Sequence, residues 1–160
     1  MQKLKPHPVS ARKDEDFQLQ PLERNILDSI PDAVIVVNEA GKIVYFNTQA
    51  EKMFGYFRNE LSGLCLDALI PKRLQKVHRH HQVVYFKEPK TRPMGTPLEL
   101  LAARKDGSEF PVDVSLSPLK TGNETYSIAS IRDISEISHV TAQLKGKIRE
   151  LGDFKYALDQ

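Results

Sequence analysis

Leu98-Glu99-Leu100-Leu101-Ala102-Ala103-Arg104-Lys105-Asp106-Gly107-Ser108-Glu109-Phe110-Pro111-Val112-Asp113-Val114-Ser115-Leu116-Ser117-Pro118-Leu119 sets two apolar-rich runs around an Asp-Gly pair. Such a pair is a strong hairpin signal, because the turn needs positive φ, which Gly adopts freely and Asp tolerates. The second run alternates Phe110, Val112, Val114 and Leu116 with Glu109, Asp113, Ser115 and Ser117. That period of two belongs to an antiparallel sheet with one wet face and one covered face. The dry face needs a cover, and what lies beneath that cover is the functional question.

Working outward, residues 1–17 carry Lys3, Lys5, Arg12 and Lys13 with two prolines, then Asp14-Glu15-Asp16, without an apolar period, and read as a flexible leader. From Phe17, the positions Leu19, Leu22, Ile26, Leu27 and Ile30 recur at helical spacing until Pro31. This predicts a flanking helix over 18–30, packed on a sheet or on its own copy. Ala33 to Val37, a turn at Asn38 to Gly41, and Lys42 to Phe46 form a first hairpin. Asn47 suits the N-cap of a helix from Thr48 to Phe54, which Gly55 ends. Short turns follow from Arg58 to Ser62 and around Leu66, Leu69 and Ile70. Pro71 then opens a longer helix to about Phe86, with Leu74, Val77, His78, His81, Val84 and Tyr85 along its inward stripe. Lys87 to Pro97 reads as a loop, and Glu124 to Ile131 as the last strand.

The period changes again at Asp133. Ile134, Thr141 and Ile148 alternate with Ile137, Leu144 and Leu151 in a three-then-four spacing, the seam of a short coiled coil. A helix folded back on its own domain is the competing reading.

The totals narrow the function. At 160 residues the chain accommodates one domain of ~100–150 residues with extensions. With 23 basic and 21 acidic residues, the net charge of +2 makes no case for nucleic-acid binding. No apolar run approaches the ~20 residues that cross a bilayer, and the N-terminus lacks a signal peptide's apolar core, so a cytoplasmic fragment without a membrane segment is expected. Cys65 is the single cysteine and cannot form an intrachain disulfide. Catalytic parts are missing: the glycines are isolated turn residues, Ser115 and Ser117 have no paired base, and Glu109 and Asp113 sit on a solvated strand face. A metal site from His78, His80 and His81 is also not expected, for want of a completing carboxylate or thiolate.

In this order the elements make an α+β fold, a five-stranded antiparallel sheet with helices on one face, flanked by N-terminal and C-terminal amphipathic helices. The sequence then resembles the PAS domain family over about Asn25 to Ile137. Four stretches carry the resemblance: Ser29-Ile30-Pro31-Asp32-Ala33-Val34-Ile35-Val36, Tyr45-Phe46-Asn47-Thr48-Gln49-Ala50-Glu51-Lys52-Met53-Phe54-Gly55-Tyr56, Arg104-Lys105-Asp106-Gly107-Ser108-Glu109-Phe110-Pro111-Val112, and Ile131-Arg132-Asp133-Ile134-Ser135-Glu136. The organisation expected is a leader over 1–17, a flanking helix over 18–30, a PAS core over 31–134 and a signalling helix over 135–160. The tail from Asp153 to Gln160 is similar to a helix that leads into a PAS domain, so a longer signalling protein is expected, with an output domain such as a histidine kinase or diguanylate cyclase.

The resemblance implies a sensory, non-catalytic module enclosing space for a small apolar ligand or cofactor. It implies that Asp133, Ile134 and Ser135 relay the signal into the last helix, where Ile137, Leu144, Ile148 and Leu151 form a homodimer seam. In haem-binding PAS domains the axial histidine lies on the long helix, and His78 matches that spacing. The distal position, where the oxygen sensors carry arginine, falls on Leu98, which cannot donate a hydrogen bond to oxygen. The cofactor stays open between haem on His78 and none, with a ligand-free interaction module as the alternative. Cys65 lacks the residues that surround the reactive cysteine of flavin photoreceptors; it reads as a small core thiol, which argues against a flavin adduct.

Overall fold

Residues 17–93 and 100–159 are described by the structure, a computed structural model. Helix α1 (Pro21–Ser29) precedes a hairpin of β1 (Ala33–Val37) and β2 (Ile43–Phe46). Helices α2 (Thr48–Phe54) and α3 (Arg58–Leu61), two 3-10 turns (Leu66–Leu69 and Lys72–Leu74) and α4 (Gln75–Lys87) follow. The chain continues through β3 (Arg92–Pro93), β4 (Leu100–Ala103), β5 (Glu109–Thr121) and β6 (Glu124–Asp133) into α5 (Ser135–Leu158).

The sheet order is β2-β1-β6-β5-β3, with β4 also pairing β5, and every pairing is antiparallel. It is the expected α+β sheet, with a sixth strand of two residues where a loop was expected. Pro93 is tolerated there because β3 is an edge strand and needs no donor on its free side. In the Asp106-Gly107 loop, Gly107 alone takes positive φ, at 85°. Asp106 instead accepts from the Ser108 backbone N–H at 2.9 Å, a side-chain turn of the kind Asp forms readily. Leu98, where the strand was expected to start, lies outside the described residues; among those described, β4 runs over Leu100–Ala103.

The alternation along β5 separates two apolar layers. Phe110, Val112 and Val114 join Ala33, Ile35 and Val37 of β1 and Ala129 and Ile131 of β6 against α2, α3 and Leu69. On the opposite face Val36, Tyr45 and Tyr126 meet Phe17, Leu19 and Leu27. Thus α1 and the residues before it cover the second face of the sheet. The helix starts later than the apolar spacing suggested, because Pro21 has no N–H and fits the first turn. Phe17 is outside it, with its ring 4.9 Å from that of Tyr126.

On α4 the expected inward stripe is rotated. Val77 and Val84 are 56% and 49% exposed, and His81 is exposed too. The inward positions are Gln75, His78, Gln82 and Tyr85, of which Tyr85 alone is fully buried. Polar anchors set this face. Gln75 donates through Nε2 to the Asp67 carbonyl at 2.9 Å, and the Gln82 side chain lies over Gly41, where an added Cβ would come within 3.0 Å of its Nε2. Hydrophobic periodicity has no access to such anchors.

Candidate functional site

The inward face of α4 meets the sheet at β6. Tyr85, 4% exposed, places its hydroxyl beside Ser127 without a hydrogen bond of ordinary geometry. Ser127 is itself buried and aligns with Val37 and Pro118 in the neighbouring strands. Burial pushes the Tyr85 hydroxyl pKa up, partly offset by Ser127 and by the Arg92 guanidinium, which lies 5.5 Å from the ring centroid.

Two helical turns earlier on the same face, His78 buries Nδ1 with no hydrogen-bond partner. Burial lowers the His78 pKa; Asp67 acts against the shift and His81 with it. The ring is therefore neutral at neutral pH and keeps a lone pair for a ligand. The sign of the linkage follows: below about pH 6.5 an unfolded histidine takes a proton that the folded one refuses. Stability is expected to hold above that value and to fall as pH drops from it towards the lower folded value. Urea midpoints measured between about pH 7.5 and 5.5 should show the fall, and His78→Gln should flatten it.

The other sequence candidates separate from this site. His80 and His81 are exposed, and among the described residues no group of three His, Cys, Asp or Glu side chains is arranged to hold a metal. Cys65 is exposed rather than a core thiol, because it sits in a bridge with Lys42 along the β2 edge.

A second cluster forms where β6 becomes α5. Asp133 Oδ1 accepts from the Ser135 N–H at 2.9 Å and from the Ser135 hydroxyl at 2.5 Å, holding the first turn of α5. Its other oxygen accepts from Arg104 Nη2 at 3.0 Å. The same guanidinium donates to the Met53 carbonyl in α2 and covers the Phe110 ring, 3.8 Å from its centroid. Burial acts to raise the Asp133 pKa, but the Ser135 and Arg104 hydrogen bonds prevail and hold it below the usual carboxylate value. Ile134 donates its N–H to the Pro111 carbonyl at 3.1 Å. One guanidinium thus joins α2, β5 and the start of α5. Sequence reading quoted Arg104 only inside a motif, since its partners lie 51 and 29 residues away.

Beyond that turn α5 presents Ile137, Leu144, Ile148 and Leu151 to solvent, each at least 60% exposed. No helix among the described residues is long and apolar enough to cross a membrane.

The fold is an antiparallel sheet with helices on both faces and an exit helix held to it at its first turn by the Arg104–Asp133 pair and the Ile134 N–H. The PAS domain family model matches residues 31–136, and the chain belongs to that family. It is 31% identical over 128 residues to sensor protein FixL of Bradyrhizobium diazoefficiens, covering 80% of this chain and 25% of FixL. It is 32% identical over 114 residues to the oxygen sensor protein DosP of Escherichia coli, covering 71% of this chain and 14% of DosP. The chain therefore spans a quarter or less of these relatives. Among solved structures, a PAS domain from Desulfitobacterium hafniense aligns with a TM-score of 0.58 at 24% identity, covering 68% of this chain and 98% of that one.

Proposed function

We propose that this chain is the sensory input and dimerisation segment of a cytoplasmic signal-transduction protein. An event beneath α4 shifts the sheet, and Asp133, Ile134 and Ser135 pass the shift to α5, which carries it to an output domain of the histidine kinase or diguanylate cyclase kind. The observation that carries this reading is the Arg104 guanidinium, which binds the core and the first turn of α5 at once. Hydrogen exchange in Arg104→Gln tests it: faster exchange in the first turn of α5 is expected, and unchanged exchange there overturns the reading.

The receiving half of the relay is the exposed stripe Ile137, Leu144, Ile148 and Leu151. Its spacing is that of a two-stranded coiled coil, and a second copy of this chain is its proposed partner. Light scattering of a Leu144→Asp/Ile148→Asp variant is expected to report a monomer where the parent is a dimer. An unchanged dimer rejects the α5 seam and moves the weight to α1, whose Leu22 and Ile26 are exposed.

A ligand-free interaction module is disfavoured by two buried polar atoms without partners, Tyr85 Oη and His78 Nδ1, both on the inward face of α4. The same His78 atom supports a second reading, a haem-based gas or redox sensor. His78 fits the role of axial ligand, being neutral, inward and unpartnered. Haem would supply the gas-binding or redox-active iron; this chain supplies the imidazole and the dry surround. Leu98, the proposed distal residue, lies outside the described residues. Titration with haemin is expected to give a Soret band that His78→Ala abolishes. Absence of the band after reconstitution rejects the haem reading and leaves the relay untouched.

A further inference from the structure

The charge of the chain is not spread evenly. Of its 23 basic residues seven lie between Lys72 and Arg92, against one of its 21 acidic residues, Glu88, so this stretch carries +6 while the rest of the chain carries −4. The net charge of +2 conceals that segregation, which falls on α4 and the turns beside it. Three of the seven cations are answered locally, Arg73 by Glu109, Arg79 by Asp67 and Lys90 by Glu88. Among the described residues Lys72, Lys76 and Lys87 have no carboxylate partner, and all three are exposed.

The helix sorts these residues. At 3.6 residues per turn Lys76, His80 and Lys87 fall in one row along the outward side of α4, with Val77 and Val84 on one flank and Val83 on the other. Val77, Val83 and Val84 are 56%, 58% and 49% exposed. Exposed valines beside unpaired lysines make a surface that gains from leaving water and from meeting negative charge at once.

Going beyond the sensory reading and not resting on it, we propose that this outward face of α4 docks on an anionic lipid surface. A second copy of α4 is the wrong occupant, because facing copies, parallel or antiparallel, would set Lys76 and Lys87 against lysine. Nucleic acid would meet the lysines with phosphate but leave the valines against sugar and phosphate. The face is the convex side of a single helix about 20 Å long, so it has no groove to enclose a peptide. A lipid surface answers both features: acidic headgroups take the ammonium groups, while the valines and the lysine stems reach the acyl boundary. The helix lies on such a surface without crossing it, since no helix among the described residues is long and apolar enough to span a membrane. Its opposite side carries His78 and Tyr85, so lipid contact and an event beneath α4 bear on one element.

Cosedimentation of the full chain with vesicles tests the proposal, using phosphatidylcholine alone and phosphatidylcholine mixed with phosphatidylserine. Pelleting with the mixed vesicles and not with phosphatidylcholine alone is expected, weakening steeply as salt is raised. Lys76→Gln/Lys87→Gln alters two exposed side chains without an ion pair among the described residues, so circular dichroism should match the parent while binding falls about tenfold or more. Lys76→Arg/Lys87→Arg is expected to retain the binding. Val77→Gln/Val84→Gln should weaken it at constant charge; unchanged binding there means attraction without docking and overturns the proposal. No pelleting with the mixed vesicles, equal pelleting of the parent and the glutamine variant of the lysines, or pelleting indifferent to phosphatidylserine also overturns it. A short DNA duplex bound more tightly than the mixed vesicles reassigns the face to nucleic acid and overturns it as well. Vesicle binding is measured without any pocket ligand and without an Arg104 variant, so its failure leaves the relay reading standing.

Discussion

Asn47→Ala is expected to lower the stability of the domain by about 3–5 kcal/mol. Asn47 is fully buried, at 0% exposure, and all of its side-chain capacity towards neighbouring backbone is in use. Its Oδ1 accepts from the Val34 N–H at 2.9 Å and the Ala50 N–H at 3.0 Å. Its Nδ2 donates to the Leu27 and Asp32 carbonyls, each at 3.0 Å. One amide therefore ties α1, the entry to β1, β1 itself and the first turn of α2. Alanine would strand the buried Val34 N–H, leave the Ala50 N–H only its bond to the Asn47 backbone carbonyl at 3.1 Å, and deprive two carbonyls of their donor; a stranded buried group costs about 1–3 kcal/mol. Asn47→Asp should be nearly as harmful, since it restores the acceptor but turns a second oxygen towards two carbonyls. Urea unfolding followed by circular dichroism should show a lower midpoint at an unchanged slope. A loss below about 1 kcal/mol would mean that the four bonds are not acting together.

Arg104→Gln is expected to separate α5 from the core without unfolding the sheet. The arginine makes a charged hydrogen bond to Asp133, another to the Met53 carbonyl, and a stacked contact with Phe110. The ion pair is partly exposed, with side chains at 30% and 31%, so solvent screening limits its own contribution. The carbonyl bond and the ring contact bring the expected loss to about 2 kcal/mol. Hydrogen exchange should show the larger effect locally. Amides in the first turn of α5, including Ser135 and Ser138, should exchange faster, while those of β1 and β6 keep their protection. Asp133→Asn should reproduce the change at α5, because it weakens both the Arg104 pair and the cap on Ser135. Unchanged exchange at the first turn in both variants would remove Arg104 from the relay.

These two residues also show what local pattern conveys and what it omits. Asn47 was readable as a helix N-cap from its position before Thr48, and the bond from Ala50 N–H is that cap. Its other partners, Leu27, Asp32 and Val34, are 13 to 20 residues away, and no spacing rule points to them. Asp133-Ile134-Ser135 was legible as a boundary because the period changes there. Arg104 as its clamp was not, since the pairing arises only when β4 and β6 flank β5. On α4 the valines drew the reading to one face, yet Gln75, bonded to the Asp67 carbonyl, and Gln82, packed over Gly41, face inward while those valines face solvent.

By itself the sequence determined five of the six strands, the hairpins and the start of the exit helix, because period-two alternation, the Asp-Gly turn and the change to helical spacing at Asp133 are local and act within a few residues. Only the tertiary structure decided which face of α4 points inward, that the N-terminal segment closes the second face of the sheet, and which polar atoms are left without partners. Those outcomes depend on backbone carbonyls and side chains brought together from distant parts of the chain. A buried phenol or imidazole becomes a candidate binding group only when the fold surrounds it and withholds a partner.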